Sequence, residues 1–212
     1  DPGPVSGWPA RSPGVSAAAL LDRAAPDTTG HVVEALCAAG ENMQNEAIVR
    51  AVAWLEKVQE ADGSWFGRWG VGYLYGTFRV LRGLWRAGQS DRAAHILRAG
   101  EWIRAIQNAD GGWGESCDSY RKGSFVPAPS TPVQTAWAIL GLLAGGDTTS
   151  SSLENGVECL VRQQRSDGGW NDPAPVFTAI PGSLYLHSSW AACCYPLMAL
   201  KEFERQRAGG TR

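Results

Sequence analysis

Asp27 and His31 stand four residues apart in PDTTGHVVEAL (26–36), one helical turn, so a carboxyl and an imidazole can share a face. A cationic imidazole beside a carboxyl favours the ionised acid and makes its proton easier to release. Both residues also have ordinary uses. An aspartate at a helix start caps open amides, and a histidine can lie at the surface or in the core. Cys117, Asp118 and His187 are the other types that could bind or react. Cys117 and Asp118 are adjacent, and no histidine sits beside them at a ligand spacing. Zinc sites use spaced pairs, so no metal is expected. The five cysteines show no CxxC and no even framework, which reads as free thiols in a reducing, cytoplasmic setting.

The elements that would position these residues are helical. Apolar residues recur at helical spacing over 28–39, 45–59, 73–87, 92–107, 132–144, 152–164 and 186–206. Gly and Pro punctuate the gaps, and nothing alternates long enough to predict a strand. Residues 1–25 are rich in Pro, Gly, Ser and Ala and read as irregular, with a short helical turn at 17–23; residues 26–212 read as one helical domain. The longest mostly apolar run, 136–145, falls short of the roughly 20 residues that span a bilayer. Nineteen Lys and Arg against 21 Asp and Glu argue against a nucleic-acid surface.

One short grammar occurs three times: QEADGSW at 59–65, QNADGGW at 107–113 and QRSDGGW at 164–170. Each follows a helix (AVAWLEKVQ, AGEWIRAIQ, GVECLVRQQ) and precedes a more apolar one, so the unit is helix, turn, helix. Such units stack with one helix inward and one outward. Gln59, Gln107 and Gln164 end the first helix of each unit, where an amide can answer open backbone groups. Trp65, Trp113 and Trp170 follow the turn, and a buried indole needs a partner for its N–H. These six are expected to be structural clasps. A closed double ring needs roughly twelve helices by the same stacking, and seven are read here, so the ring is incomplete in this chain.

These Gln-x-x-Asp-Gly-x-Trp repeats resemble the QW motifs of triterpene cyclases, above all the bacterial squalene–hopene cyclases. DGSWFGRWGVGYLYGT (62–77), QNADGGWGESCDSY (107–120) and STPVQTAWAILGLLAGG (130–146) are similar to segments of that family. The resemblance runs from about Pro26 to the C-terminus and corresponds to the C-terminal part of a cyclase; SGW at 6–8 is similar to a repeat remnant. It implies an all-α, (α/α) barrel fold, the alpha-alpha toroid. It also implies a class II reaction, in which a linear polyprene is protonated in an apolar cavity and closes rings through carbocations. The strong acid of the family is an Asp-x-Asp-Asp motif, which this sequence lacks. The chain starts at Asp1 without a methionine, so the acid-bearing N-terminal half is expected in cis or as a second chain.

By the same resemblance, His31 falls where the family has a histidine bonded to the acid, with Asp27 one turn away. Trp69 and Tyr75 fall among cavity and acid-network residues; an aromatic face stabilises a passing cation through its quadrupole. Both could equally be core aromatics. Ile180, Leu184, Ser188 and Ala191 stand where the hopene enzymes have Phe, Phe, Tyr and Tyr. Leu186 lies in the same cavity segment, and Trp190 is the neighbouring aromatic that could compensate. The ring pattern or substrate is therefore expected to differ from hopene formation. No cofactor is expected, since protonation needs only a carboxylic acid and a dry cavity. A lipid substrate implies peripheral membrane association. Two other readings stay open: a non-catalytic fragment that kept the fold, and a zinc protein like a prenyltransferase β subunit.

Overall fold

The computed structural model describes residues 24–172 and 174–209. The helical turn expected at 17–23 and the SGW remnant lie outside the described residues. The elements are α1 (Pro26–Ala38), α2 (Glu46–Lys57), α3 (Gly72–Arg86), α4 (Ala94–Ala105), α5 (Ser119–Lys122), α6 (Pro132–Ala144), α7 (Ser151–Gln163), β1 (Phe177–Ile180), β2 (Leu184–Leu186) and α8 (Ser189–Arg207).

The helices form two rows. α1, α3, α6 and α8 pack in succession as an inner row, while α2 lies against α1, α4 spans α3 and α6, and α7 lies against α6. Composition explains the division. All thirteen residues of α6, PVQTAWAILGLLA, are buried, as a helix apolar all round requires. By contrast, α2 buries only Ile48, Val52 and Leu55, and α7 only Leu153, Gly156, Cys159 and Leu160. These are single stripes, and the other faces meet water. α1 and α8 each have one inner-row neighbour, so the described helices form an arc with two open ends.

The repeated turns fasten the arc. Each motif indole donates to a carbonyl in the last turn of the preceding outer helix: Trp65 to Leu55 O at 2.7 Å, Trp113 to Ile103 O at 2.7 Å, Trp170 to Leu160 O at 2.8 Å. Those carbonyls have no partner within the helix. Gln59, Gln107 and Gln164 close the turns by donating to Gly63 O, Gly111 O and Gly168 O at 2.7–2.8 Å. The glycines sit at φ +96°, +85° and +83°, where a side chain is strained.

A second fastener follows the tryptophan by two residues. α3 has no side-chain cap of its own. Glu115 supplies it from the second turn, accepting from Tyr73 N at 2.9 Å and Leu74 N at 2.8 Å. Asp172, at the same place after Trp170, accepts from Val133 N of α6 at 3.0 Å. Gly67 occupies the equivalent place after Trp65, so the first turn has no such carboxylate.

Sequence periodicity predicts neither the four-residue α5 nor the hairpin. Phe177–Ile180 and Leu184–Leu186 pair antiparallel, with Phe177 opposite Leu186 and a register shift between Thr178 and Ile180. Four- and three-residue strands are too short to show alternation, and the Pro181-Gly182 turn between two apolar runs is the signal that marks them. The hairpin takes Leu186, which helical spacing assigns to the last helix; that helix starts instead at Ser189 behind a Ser188 cap. Five free thiols are present. Among the described residues, no helix is long and apolar enough to cross a membrane.

The indole clasp predicts a specific loss. Trp113→Phe keeps most of the buried volume but leaves Ile103 O unanswered. It should cost roughly 2–3 kcal/mol in urea unfolding, whereas Trp190→Phe, at a side chain 62% exposed, should change stability by under about 0.5 kcal/mol.

Candidate functional site

The crossing of α1 on α3 builds the site. Gly30 and Gly83 let the two backbones touch: a methyl on Gly30 would lie 2.6 Å from Arg79 O, and one on Gly83 would lie 2.4 Å from Gly30 O. That contact drives the start of α1 into loop 67–71, which leads into α3. Asp27 is 2% exposed, and its Oδ2 accepts from Arg68 N and Trp69 N, both at 2.9 Å. Asp27 is therefore not the cap of its own helix, as the sequence alone allows. The residue before α1 is Ala25, with Pro26 at the first helical position, and the Asp27 carboxylate caps the loop instead.

The loop is held from two further sides. The Tyr120 hydroxyl lies 3.0 Å from Gly67 O and 2.5 Å from Gly70 O. From the hairpin side, Thr178 N donates to Trp69 O at 3.0 Å and Val71 N to Val176 O at 3.0 Å. Gly70 must be glycine, since a methyl there would lie 2.2 Å from the Tyr75 ring.

An open hollow of about 360 Å³ results, lined by Asp27, Thr28, His31, Val32, Ala35, Trp69 and Tyr75. The two residues one turn apart on α1 thus meet the two aromatics of the signature stretch. Trp69 is 40% exposed, with the Arg68 guanidinium 4.5 Å over its ring. Tyr75 is buried, its ring 4.9 Å from Trp137 and 6.2 Å from Phe177, both edge-on.

The other sequence candidates lie elsewhere and do not line this hollow. Ile180 is half-buried on β1; Leu184 and Leu186 are exposed on β2. Trp190 is exposed on α8, its ring 6.0 Å from Tyr195. Ser188 caps α8 by accepting from Ala191 N at 3.2 Å, and Ala191 is buried in the core. Among the described residues no three His, Cys, Asp or Glu side chains cluster as a metal site.

The electrostatics favour neutral groups at the hollow. Burial pushes the Asp27 carboxyl above the usual aspartate range, against the pull of the Trp69 and Arg68 amides. Its Oδ1 is buried with no hydrogen-bond partner. Desolvation, then the Arg79 guanidinium, push His31 below the usual histidine range, against the pull of Glu34 and Asp27. Burial also raises the Tyr75 phenol. Burial thus shifts each member of the pair against its charged form.

Sequence reasoning missed the charges behind the site. Glu34 on α1 pairs with Arg79 at 3.1 Å and Arg82 at 2.6 Å on α3, all largely buried. Their spacing gives a signal only in hindsight: Glu34 is three residues after His31 and Arg79 four after Tyr75, so each continues the face of a site residue. Tyr120 carries no sequence signal beyond its place in the second repeat.

An arc of paired helices whose outer members end in Gln and Trp clasps, with aromatics and a buried carboxyl on an open hollow, is the architecture of terpene cyclases of the alpha-alpha toroid type. An ent-copalyl diphosphate synthase from Streptomyces platensis shares the fold at TM-score 0.62 and 21% identity, over 86% of this chain and 34% of that one. The type II terpene cyclase MstE from Scytonema shares it at TM-score 0.52 and 22% identity, over 73% and 42%. Residues 9–205 match the family profile described as squalene-hopene cyclase C-terminal domain, and the chain belongs to that family. It is 49% identical over 187 residues to the squalene–hopene cyclase of Alicyclobacillus acidocaldarius, covering 88% of this chain and 30% of that protein. It is 44% identical to the squalene-hopene cyclase of Schizosaccharomyces japonicus over 91% of this chain and 30% of that one. It is 41% identical to the sporulenol synthase of Bacillus subtilis over 87% and 29%. The chain spans about 30% of the curated relatives it matches.

Glu115 gives the site region a pH signature. Burial raises this carboxyl from 4.5 to about 7, against the Leu74 and Tyr73 amides. Because the folded form holds its proton more tightly than the unfolded chain, its stabilisation is complete below about pH 4.5 and is lost as pH rises through about 7. Relative to Glu115→Gln, the natural chain should lose about 3 kcal/mol over that window in urea unfolding; a parallel pH profile for the two would count against a proton held at this site.

Proposed function

We propose that this chain forms part of the wall of a class II terpene cyclase chamber. There a linear polyprene such as squalene, or a related isoprenoid, is cyclised after protonation of a terminal alkene. The observation that carries this reading is the single hollow on which Asp27, His31, Trp69 and Tyr75 meet. The rest of the polypeptide, in cis or as a second chain, supplies the Asp-x-Asp-Asp acid and closes the chamber. His31 hydrogen-bonds that acid, and Asp27, with Oδ1 unpartnered, takes up the remaining polar contact. The proton adds to the alkene, the cation passes along the chain as rings close, and loss of a proton or capture by water ends it. Trp69 faces the early cation. Ile180, Leu184, Leu186 and Trp190 border the later part of the closed chamber. Aliphatic side chains there stabilise late cations less than aromatic rings, so termination comes earlier than in hopene formation. A lipid substrate brings the assembled protein to the membrane surface without a spanning helix.

The test is product analysis by gas chromatography, with squalene and the polypeptide that contains this chain. Cyclic products are expected. Trp69→Leu should lower kcat roughly thirtyfold, the loss of about 2 kcal/mol of cation stabilisation. Leu184→Phe should shift products towards more rings. No turnover by the unaltered polypeptide, with folding intact, would favour a scaffold and overturn the reading.

A further inference from the structure

Between α1 and α3 one carboxylate serves two guanidiniums. Glu34 Oε1 accepts from Arg82 Nε at 3.0 Å and from Nη2 at 2.6 Å, which already ties the two helices together. Arg79 meets the other oxygen, Oε2, at 3.1 Å. It is 7% exposed, and its Nε is buried with no hydrogen-bond partner. The next carboxylate to feel Arg82 is Glu202 on α8, and Glu202 is bonded to Arg205 and Gln206. Arg79 is thus a buried positive charge beyond what pairing needs. Such a charge costs stability, so pairing alone does not account for it.

The surplus charge lies at the site. A methyl built on Gly30, the residue before His31, would lie 2.6 Å from Arg79 O. Arg79 follows Tyr75 by one turn of α3, and Glu34 follows His31 by one turn of α1, so the ion pair stacks behind two residues of the hollow. Burial is the largest influence on His31, Tyr75 and Tyr195, and the Arg79 charge draws the proton affinity of each downwards. From its own helix, Asp27 and Glu34 oppose Arg79 at His31; from α3, Tyr75 and Arg79 lie beside it. No charged group of α2, which also packs on α1, acts on it.

We propose that Arg79 is a positioning residue for the acid step, holding a permanent positive charge behind the hollow that steadies the carboxylate left when the acid gives up its proton. In that step the acid O–H bond breaks and its electron pair stays on oxygen. The alkene π pair forms the new C–H bond, and the neighbouring carbon is left cationic. An arginine stays charged at every working pH. An imidazole does not, and burial sets His31 against its charged form. The role in catalysis rests on the chamber proposed above; the field at His31 is measured without it.

Two readouts on the polypeptide that contains this chain test the charge and its use. The first is an NMR titration with isotope-labelled histidine, the His31 signal being identified by its loss in His31→Gln. Arg79→Met should raise the His31 midpoint, a roughly threefold gain in proton affinity, and Arg79→Lys should restore it. His95 and His187 should not move. An unmoved His31 midpoint would overturn the proposal. The second is squalene turnover against pH. Arg79→Met should lower kcat at least about tenfold near neutral pH with KM unchanged. Its kcat should also fall as pH rises through the His31 midpoint, because the imidazolium is then the cation left behind the acid. Arg79→Lys should recover both the rate and the profile of the unaltered polypeptide. Arg79→Met keeps the bulk of the arginine stem and leaves Glu34 bonded to Arg82, so its thermal unfolding should match the unaltered protein. Turnover by Arg79→Met equal to that of the unaltered polypeptide would sink this proposal and leave the chamber standing. Absence of turnover in the unaltered polypeptide would remove the chamber and the acid step together.

Discussion

A helix leaves its last carbonyls without partners, and in this chain that debt is met by side chains placed after the helix has ended. An indole reaches back ten residues to the last turn of its outer helix in all three repeats. The glutamine amide then closes the turn and, in two repeats, grips the next outer helix. Because each clasp sets where the chain leaves one helix and enters the next, the arc follows from a local requirement repeated. Trp65 and Trp113 are fully buried and belong to the core as much as to the turns. An unanswered carbonyl at those places would cost more than the bond itself contributes.

The candidate site is a consequence of the same scheme applied with one exception. In the second and third repeats, a carboxylate two residues after the tryptophan reaches up to cap an inner helix. In the first repeat that position is Gly67, and the carboxylate comes from the inner helix instead: Asp27 on α1 caps the loop. The reversal leaves one oxygen of a buried carboxyl unpartnered beside an open hollow. A fastener has been turned into a group with spare hydrogen-bonding capacity. Close approach at Gly30 and Gly83 makes this possible, and the buried Glu34–Arg79–Arg82 cluster fixes the rotation of α1 on α3. One-sided loss of such a cluster leaves a buried charge unpaired, which ties the site to the helix crossing.

Burial also shifts the titratable groups around the hollow. The same desolvation that raises Asp27 and Tyr75 lowers His31, so each group leans to its neutral form. Aromatic faces and aliphatic side chains on the hollow suit an oily molecule better than an ionic one. The side chains of loop 67–71 share in this because Tyr120 and β1 hold the loop backbone and leave Trp69 facing outward.

By itself the sequence determined the repeat. Gln-x-x-Asp-Gly-x-Trp encodes its own turn: the glycine takes a conformation other residues resist, and the polar atoms of Gln and Trp reach partners within ten residues. The seven long helices were legible for the same reason, since their apolar stripes are local patterns. The hairpin was not, because two strands of four and three residues are too short for a period, and they are tied to Trp69 and Val71, over a hundred residues earlier. Tertiary structure alone decided that Asp27 caps a distant loop, that Tyr120 props that loop, and that Arg79 sits near enough to depress His31. Each of those depends on the angle and closeness of two helices, which are set by contacts between segments 40 or more residues apart and leave no mark in any local pattern.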